Sequence, residues 1–355
     1  MNNFFNFIFS ILFCLLANAQ QPKFIDLFDT SMNSNVSCYR IPSLVTAPNG
    51  TIIAAIDERN ISCGDLKWNR DINIVLRKSF DNGETWSELE KIIDYPLGES
   101  ASDPSMIVDK LTNEIFLFYN YMNLDKEKNV YYLKFIKSAD NGENWSSPRD
   151  ITNEITHENW RKDFMFITSG RGVQTSNGTL LHTLVNLNKG THVFGSKDHG
   201  KNWFLIDNPV KPGDESKIIE LSDNNWMINS RVNAAGLRFT HTSPDEGKNW
   251  FSSPNSDLND PGCNASLISY NFSKNLEKSI LLFSNANNSK ERKNMTISIS
   301  YDNGKTWPNT KTIYTGEAAY SSMTILKNGE IGLFFEKDNY SKNVFVKFSL
   351  DWLSK

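Results

Sequence analysis

Cysteine and histidine are scarce in this chain of 355 residues, which has four of the first and five of the second. Three cysteines, Cys38, Cys63 and Cys263, follow the apolar N-terminal segment, and no Cys-x-x-Cys pair occurs. An odd number of cysteines excludes a fully paired disulfide scaffold. The histidines are scattered without the spacing of metal ligands, which argues against a zinc site. We therefore expect no metal and no cofactor.

Basic runs and long apolar runs are also lacking. The formal net charge is −4 at pH 7, and a mildly acidic chain without a basic run is a poor partner for nucleic acid or an anionic membrane. After residue 19 no apolar stretch is long enough to span a bilayer. We expect no nucleic acid, no membrane span and no obligate protein partner.

The most apolar segment lies at the N-terminus. Residues 1–19 carry no charge, and the apolar run from Phe4 to Leu16 precedes Ala17-Asn18-Ala19. An apolar run this short before an Ala-x-Ala site predicts a signal peptide rather than a membrane helix. We expect export, to the periplasm or the medium.

One phrase, Ser-x-Asp-x-Gly-x-Asn/Thr-Trp, occurs five times, with starts between 47 and 59 residues apart. The copies are Ser79–Trp86, Ser138–Trp145, Ser196–Trp203, Ser243–Trp250 and Ser300–Trp307. Spacing of this kind indicates a repeat architecture. The Asp can accept N–H bonds within its own turn, the Gly can take a positive φ, and the Trp can fold over neighbouring strands. The five aspartates are thus predicted to be structural, not catalytic.

Strand-like alternation leads into these turns at Ile72–Lys78, Tyr131–Lys137 and Met295–Ile299. At about four strands per blade, a unit of about 55 residues is one blade. The pattern predicts an all-β, six-bladed β-propeller. Phe24–Phe28 and Val344–Leu350 are predicted edge strands that close the ring by pairing.

No linker or change of composition interrupts the chain after the signal peptide, so residues 22–355 are predicted to form one domain.

The segment Tyr39-Arg40-Ile41-Pro42 precedes the repeats. By itself it is a strand start whose Arg would usually make a surface ion pair. Ahead of a series of such repeats, however, it resembles the N-terminal signature of the bacterial-type exo-α-sialidases (neuraminidases), whose Asp boxes match the repeated phrase. The resemblance covers essentially all of the chain after residue 19. It implies that Arg40 is the first of three arginines that hold the sialic acid carboxylate.

The same resemblance assigns residues of the first two blades. Arg59 matches the arginine that faces the sugar near its 4-hydroxyl, and Asp65 falls on the loop that carries the general acid/base. Asp71 is the competing carboxylate, and we favour Asp65 because Asp71 begins a strand. Asp103 matches a residue that contacts the polar edge of the sugar.

Later segments match the rest of the sialidase site. Glu215 matches the residue that activates the nucleophile, and Arg231 and Arg292 match the second and third arginines. Neighbouring Lys290 and Lys293 are poor alternatives, because an ammonium cannot form the planar two-bond clamp of a guanidinium on a carboxylate.

Tyr320 matches the nucleophile segment, and Glu336 matches the residue that orients the first arginine. Sialidases differ from most glycosidases in using a tyrosine nucleophile. A neutral tyrosine partnered by a glutamate avoids the repulsion that a carboxylate nucleophile would meet from the substrate's own carboxylate. The glycine-rich stretch Thr168–Val173 is not a phosphate loop, since no Lys-Ser/Thr pair or helix follows it. We interpret it as a bend that brings backbone near the ligand.

The implied function is that of a retaining exo-α-sialidase, which removes terminal sialic acids from glycoproteins, glycolipids and oligosaccharides. A trans-sialidase or an intramolecular trans-sialidase would share every catalytic residue. A non-catalytic propeller that binds sialylated glycans would be expected to lack Asp65, Glu215 or Tyr320, and this chain has all three.

Cys38 and Cys63 each stand two residues before a candidate site residue, Arg40 and Asp65. The sequence gives no Cβ geometry. We expect two buried thiols here rather than a bridge.

Overall fold

A computed structural model describes residues 22–270 and 280–355, so the predicted signal peptide at residues 1–19 lies outside the described residues. Within these ranges almost all of the regular secondary structure consists of β-strands. They are β1 (Ile25–Asp29), β2 (Cys38–Thr46), β3 (Ile52–Arg59), β4 (Ile72–Ser79), β5 (Glu90–Ile93), β6 (Glu99–Asp109), β7 (Glu114–Asn123), β8 (Tyr132–Ser138), β9 (Arg149–Asp150), β10 (Met165–Ile167), β11 (Gly170–Arg171), β12 (Val173–Gln174), β13 (Leu180–Asn186), β14 (Gly190–Ser196), β15 (Phe204–Val210), β16 (Ser216–Glu220), β17 (Trp226–Ser230), β18 (Leu237–Ser243), β19 (Phe251–Asn259), β20 (Ser266–Tyr270), β21 (Ile280–Ala286), β22 (Lys293–Ser300), β23 (Asn309–Ile325), β24 (Ile331–Lys337) and β25 (Lys342–Phe348).

Helices are short and few in the described ranges. They are α1 (Thr152–Ile155), α2 (Leu350–Ser354) and single 3₁₀ turns at Thr30–Met32, Leu66–Trp68 and Glu158–Trp160. Over residues 22–270 and 280–355, no helix has the length and apolar character needed to cross a membrane.

The strands form twisted meanders arranged like the blades of a propeller. Their orders are β2-β3-β4-β5, β11-β6-β7-β8-β9, β10-β13-β14-β15 with β12 beside β13, β16-β17-β18-β19, and β1-β25-β24-β23-β22-β21-β20. All pairs are antiparallel except β11 with β6. The all-β prediction is confirmed, as are the strands predicted before three of the repeats, which are β4, β8 and β22.

The seven-stranded sheet contains the longest strand and both ends of the fold. Residues 309–314 of β23 pair with β22, whereas residues 321–325 pair with β24. β1 pairs with β25, with Ile25 opposite Phe345, so the predicted closure of the first strand on the last is confirmed. The last strand is shorter than predicted. It ends at Phe348 because the Ser349 side chain accepts the N–H of Trp352 and starts α2.

Each repeated phrase is a turn stapled by its own side chains. In the first copy Ser79 Oγ donates to Asp81 Oδ1 at 2.9 Å, and the N–H groups of Gly83 and Thr85 donate to Ser79 Oγ and Asp81 Oδ1 at 2.8 and 2.9 Å. The other four copies repeat these bonds. Gly83 has φ +84°, which favours glycine. The predicted turn chemistry is thus confirmed, and each Asp is occupied within its own turn.

The meanders give the ring two distinct faces. β2 and β4 run in the same direction, since both are antiparallel to β3. The Asp box after β4 therefore lies at the end of the sheet where β2 finishes, at Thr46. Arg40, near the start of β2, lies at the opposite end. We call these the Asp-box face and the site face.

Candidate active site

Glu336, in β24, is a buried carboxylate that joins two strands of the site face. It accepts hydrogen bonds from Arg40 Nε at 3.0 Å and from the backbone N–H groups of Ile41 and Tyr320 at 2.9 and 3.0 Å. Burial alone would raise the pKa of Glu336, but the charge and bonds of Arg40 outweigh it and hold this pKa below its usual value. Ile41 has φ +69°, which is rare for a β-branched residue. Glu336 thereby fixes Arg40 and Tyr320 relative to each other.

Glu215 and Arg231 face each other because the β16–β17 hairpin pairs the residues beside them, Ser216 and Ser230. Arg231 Nη1 donates to Glu215 Oε2 at 2.5 Å and to the Tyr320 hydroxyl at 3.1 Å. The Tyr320 hydroxyl in turn donates to Glu215 Oε2 at 2.7 Å. Burial, and then the negative charge of Glu215, raise the pKa of Tyr320 well above its usual value. Tyr320 is therefore a neutral phenol whose proton already points at a base.

Arg292 lies immediately before β22 and is held by two partners. Its Nη2 donates to the Gly262 carbonyl at 3.1 Å, and its Nη1 donates to the Tyr340 hydroxyl at 3.1 Å. Asp260 fixes the Gly262 loop by accepting the N–H of Gly262 and an N–H of buried Arg238. These bonds give Asp260 a structural role.

The three candidate carboxylate-binding arginines surround the Tyr320 ring. The guanidinium carbons of Arg40 and Arg292 lie 5.3 and 5.5 Å from its centroid, and Arg231 bonds its hydroxyl. Burial opposes the charge of each guanidinium, but neighbouring acidic groups outweigh it, so the pKa of all three is raised. These groups are chiefly Glu336 beside Arg40, Tyr320 and Glu215 beside Arg231, and Cys263 and Tyr320 beside Arg292. The site is thus a compact cationic pocket around one neutral hydroxyl.

Tyr340 is a site residue that the sequence analysis missed. Its ring lies 4.1 Å from the Arg40 guanidinium carbon, while its hydroxyl accepts from Arg292. A cation over an aromatic face is attracted by the ring's quadrupole, which eases the crowding of like charges. Asp338, Asn339 and Tyr340 all have positive φ, between 50° and 67°. Such a turn after β24 has no distinctive sequence pattern, and only the ring closure brings it beside Arg40.

The candidate acid lies on the loop between β3 and β4. Buried Arg59 donates to Asp57 Oδ2 from Nε and Nη2 at 3.1 and 3.0 Å, and to Asp65 Oδ1 from Nη1 at 2.8 Å. The Asp65 side chain is 59 % exposed, and Arg40 Nη1 lies 3.8 Å from it. Partial burial raises the pKa of Asp65, but Arg59 and then Arg40 lower it further, so the net shift is downward. Asp65 is ionised in the unliganded protein.

Asp71, the competing carboxylate, is placed differently. It accepts a hydrogen bond from Asn60 Nδ2 at 2.9 Å and closes the base of the loop. Its backbone N–H donates to Asn69 Oδ1 at 3.0 Å. These contacts fit a loop-closing residue.

The same loop is tied to the arginine strand by a disulfide, so our expectation of two thiols is wrong. Cys38 and Cys63 are bonded, with their Cα atoms 5.6 Å apart. The physical reason is the register of the β2–β3 hairpin, which sets Cys38 opposite Arg59. Four residues after Arg59, the chain has turned back over the strand end and brings Cys63 to Cys38. The bridge holds the Asp65 loop beside Arg40.

We expect one free thiol per chain, that of Cys263, when protein without its first 19 residues is unfolded without reductant and titrated. Replacing both Cys38 and Cys63 by Ser should lower the free energy of unfolding by about 3 kcal/mol, because the bridge closes a loop of 25 residues. Urea unfolding measures this loss. A Cys263→Ser variant is the control and should show no free thiol. Three free thiols in the unsubstituted protein would contradict the bridge.

A buried carboxyl pair lies behind the acid loop. Asp57 accepts the Asp103 backbone N–H at 2.9 Å and Ser102 Oγ at 2.5 Å, and Asp103 accepts from Asn120 Nδ2 at 3.0 Å. Burial, and then the charge of Asp57, raise the pKa of Asp103 to about 8, and burial raises that of Asp57 to about 6. Asp103 is therefore the carboxyl of this pair that holds a proton more readily, and in that form it can donate a hydrogen bond. The sequence analysis did not identify Asp57 as part of the site.

The structure brings all nine sequence-predicted residues to the site face. Eight of them form one connected set of direct contacts. Glu336 contacts Arg40 and Tyr320, Tyr320 contacts Glu215 and Arg292, Glu215 contacts Arg231, and Asp65 contacts both Arg40 and Arg59. The ninth, Asp103, is linked to this set through Asp57. The glycine-rich stretch, in contrast, pairs with β6 through Gly170 and Arg171, and its residues Arg171, Gly172 and Val173 line a separate cavity.

Residues 61–333 match the family model described as a BNR repeat-like domain. The chain is 30% identical over 86% of its length to a sialidase of Bacteroides fragilis, and 32% identical over 89% to a sialidase of Micromonospora viridifaciens. It spans 61% and 52% of the lengths of these two relatives. The solved Hadza microbial sialidase Hz136 superposes with a TM-score of 0.82 at 28% identity, covering 90% of this chain and 67% of that one.

Proposed function

The chain belongs to the BNR-repeat family and, within it, to the bacterial-type exo-α-sialidases, and from this premise we propose that it is a glycoside hydrolase that removes terminal α-linked sialic acids from glycans with retention of configuration. The observation that carries the proposal is the 2.7 Å hydrogen bond from the Tyr320 hydroxyl to Glu215, set among three guanidiniums. A tyrosine that must attack beside a substrate carboxylate needs both a base and a cationic surround.

The substrate carboxylate is bound by Arg40, Arg231 and Arg292. Arg40 gives Nε and Nη2 to Glu336, so its Nη1 remains on the Asp65 side. Charge-assisted bonds to the carboxylate fix the sugar ring and direct its anomeric carbon at Tyr320. Asp103 contacts a polar group of the sugar. Arg59, expected from the resemblance to face the sugar, is instead fully buried and orients Asp65 from behind.

In the first step Tyr320 Oη bonds to the anomeric carbon and its proton passes to Glu215. The bond from the anomeric carbon to the glycan oxygen breaks, and that oxygen takes a proton from Asp65. Arg231, which bonds both Tyr320 and Glu215, holds the pair in line and stabilises the phenolate character that develops.

In the second step the Asp65 carboxylate takes a proton from a water that bonds to the anomeric carbon on the face left by the glycan. The bond to Tyr320 Oη breaks, and Tyr320 regains its proton from Glu215. Two displacements at one carbon restore its original configuration, as in other retaining glycosidases.

Asp65 must be protonated before the first step, although the pKa of this carboxyl is lowered in the unliganded protein. Two of the charges that lower it belong to Arg40 and Arg292. Binding of the substrate carboxylate neutralises both and excludes water, so the pKa of Asp65 rises in the complex. The acid is thereby prepared by the substrate itself.

The proposed architecture is a six-bladed propeller over residues 22–355. It is supported by the pairing of β23, whose first part belongs to a meander with β20–β22 and whose second part belongs to one with β24, β25 and β1. Counting that sheet as two blades adds two to the four other sheets.

Export is proposed from two features. The apolar N-terminal segment has the pattern of a signal peptide, and the Cys38–Cys63 disulfide is of a kind that persists in oxidising compartments. The partner is then a sialylated glycan outside the cytoplasm.

Incubation with a fluorogenic α-sialoside, with and without lactose as acceptor, tests the function. We expect free sialic acid, released first as the α-anomer by NMR. No release would overturn the enzyme proposal. Sialyl-lactose would instead indicate transfer, and an internally bridged anhydro sugar would indicate the intramolecular reaction.

Arg292→Ala should lower kcat/KM at least about tenfold, since one charge-assisted bond to the carboxylate is lost. Steady-state kinetics on the same sialoside measure this. Lys290→Ala, two residues away and exposed, is the matched control and should behave like the unsubstituted protein. Equal activity of both variants would show that another residue is the third carboxylate ligand.

A further inference from the structure

A second cavity, of about 410 Å³, lies on the Asp-box face at the centre of the ring. The first strands of neighbouring sheets, β2, β6, β16, β20 and the second part of β23, pack against one another around this centre. Their ends line the cavity, with Thr46, Val108, Ile218, Ile268 and Thr324. Tyr320 precedes Thr324 by four residues and Asp103 precedes Val108 by five, so the strands separate this cavity from the candidate active site by about 15 Å.

The glycine-rich stretch of the sequence leads into this cavity. Gly170 takes φ +100° and its carbonyl accepts Ser43 Oγ at 2.5 Å, while a Cβ on Gly172 would lie 2.5 Å from the Leu181 carbonyl oxygen. Only glycine fits at such an approach. The two glycines hold Arg171 at the wall of the cavity, where its Nη1 donates to the Met323 carbonyl at 3.0 Å. One nitrogen of the guanidinium is thus anchored across the ring.

Arg171 lacks a counter-charge in the described part of the chain. Within residues 22–270 and 280–355 no carboxylate forms an ion pair with it, and burial lowers the pKa of Arg171 to about 10. Glu220, a carboxylate of the cavity wall, is engaged with the backbone N–H and the hydroxyl of Ser176. Lys110 and Lys327 stand exposed at the rim and add positive charge. A guanidinium withdrawn from water favours an anionic partner.

We propose that this cavity binds a small organic molecule that carries one carboxylate. The carboxylate pairs with the free edge of the Arg171 guanidinium in the planar two-bond geometry that suits both groups. The apolar part packs on the aliphatic walls formed by Val108, Ile218 and Ile268. A cavity of this size matches a ligand of modest volume, and the Glu220 carboxylate in the same wall disfavours a dianion such as phosphate.

Isothermal titration of the protein with benzoate, and separately with inorganic phosphate, tests the proposal. The cationic site face also binds carboxylates, so we expect two benzoates per chain. Arg171→Gln should remove one of them, or weaken it at least tenfold, and leave sialoside hydrolysis unchanged. Arg231→Ala should remove the other. Arg161→Gln, which alters an exposed arginine paired with Glu127, is the matched control and should keep both sites.

Arg171→Lys keeps the charge and is the second variant if Arg171→Gln unfolds, as judged by circular dichroism. It should still bind benzoate at the second site, but more weakly than Arg171 does. A single benzoate site that depends only on Arg231 would overturn the proposal, as would tighter binding of phosphate than of benzoate at the Arg171 site. If the proposed hydrolase activity were absent, the benzoate experiment would still test this proposal, because Arg171→Gln and Arg231→Ala each remove a different benzoate site.

Discussion

Tyr320→Phe is expected to lower kcat by at least about 10³-fold on natural glycans and on activated aryl sialosides alike. In the proposed mechanism the phenol oxygen bonds to the anomeric carbon, so without it no covalent intermediate forms. The ring remains, so the cation contacts of Arg40 and Arg292 are kept, and the three guanidiniums still hold the substrate carboxylate. Binding of a non-hydrolysed sialoside should therefore change little. Stopped-flow kinetics and titration calorimetry measure the two quantities separately.

Tyr95→Phe is the matched control for this experiment. Tyr95 also exchanges a hydrogen bond through its hydroxyl, with Tyr119 at 2.9 Å, but it lies outside the site. It should retain full turnover. If Tyr320→Phe kept more than a tenth of the activity, a different nucleophile or a direct attack by water would have to replace the double displacement.

Asp65→Ala should divide substrates by their leaving group. General acid catalysis contributes about 10²–10⁴ in rate, and this loss should appear in full with natural glycans, whose alkoxide leaves poorly without a proton. An aryl sialoside whose phenolate leaves readily should escape most of it in the first step. The measurement is kcat/KM for the natural glycan divided by kcat/KM for the aryl sialoside. This ratio should be at least about 10²-fold lower in Asp65→Ala than in the unsubstituted protein.

Asp71→Ala is the control for Asp65→Ala, because it removes a carboxylate from the same loop. Asp71 closes the base of the loop through Asn60, so its loss should affect both substrates to the same degree. Equal losses on both substrates in Asp65→Ala, with a selective loss in Asp71→Ala, would exchange the two assignments.

Much of the fold follows from local chemistry that the sequence makes plain. All hydrogen bonds that fix the Asp-box turn join residues within eight positions, so a short sequence motif determines its geometry. In the strands that enter the turn, polar and apolar residues alternate as expected for β-structure. The closure of β1 on β25 was predictable because exposed edges are costly. The end of the last strand was missed, because a single serine cap at Ser349 decided it.

The site residues also fall into those that local sequence predicts and those that depend on contacts between distant segments. Arg40, Glu215 and Tyr320 stand in phrases that resemble a known family, and the structure places them together. Neither Tyr340 nor the Cys38–Cys63 bridge lies in a segment that the resemblance interprets, so the sequence did not predict them. The bridge depends on the register of the β2–β3 hairpin, and the position of Tyr340 depends on the turn after β24. Tyr340 reaches Arg40 only when the ring is closed. In the sequence, Arg171 was noted only as part of a glycine-rich stretch. The orientation of its side chain depends on the close approach of the neighbouring Gly172 to Leu181, which the sequence does not reveal.

The bond between Arg40 and Glu336 joins residues that are 296 positions apart, and the first described strand, β1, pairs with the last, β25. During synthesis, the N-terminal sheet emerges long before the strand that carries Glu336 exists. Until then Arg40 lacks the carboxylate that orients it, and both terminal strands offer unpaired edges to other chains. Contacts of such long sequence separation form slowly. The cationic pocket is consequently assembled as one of the last events of folding, so that a chain with a complete pocket has already closed its ring.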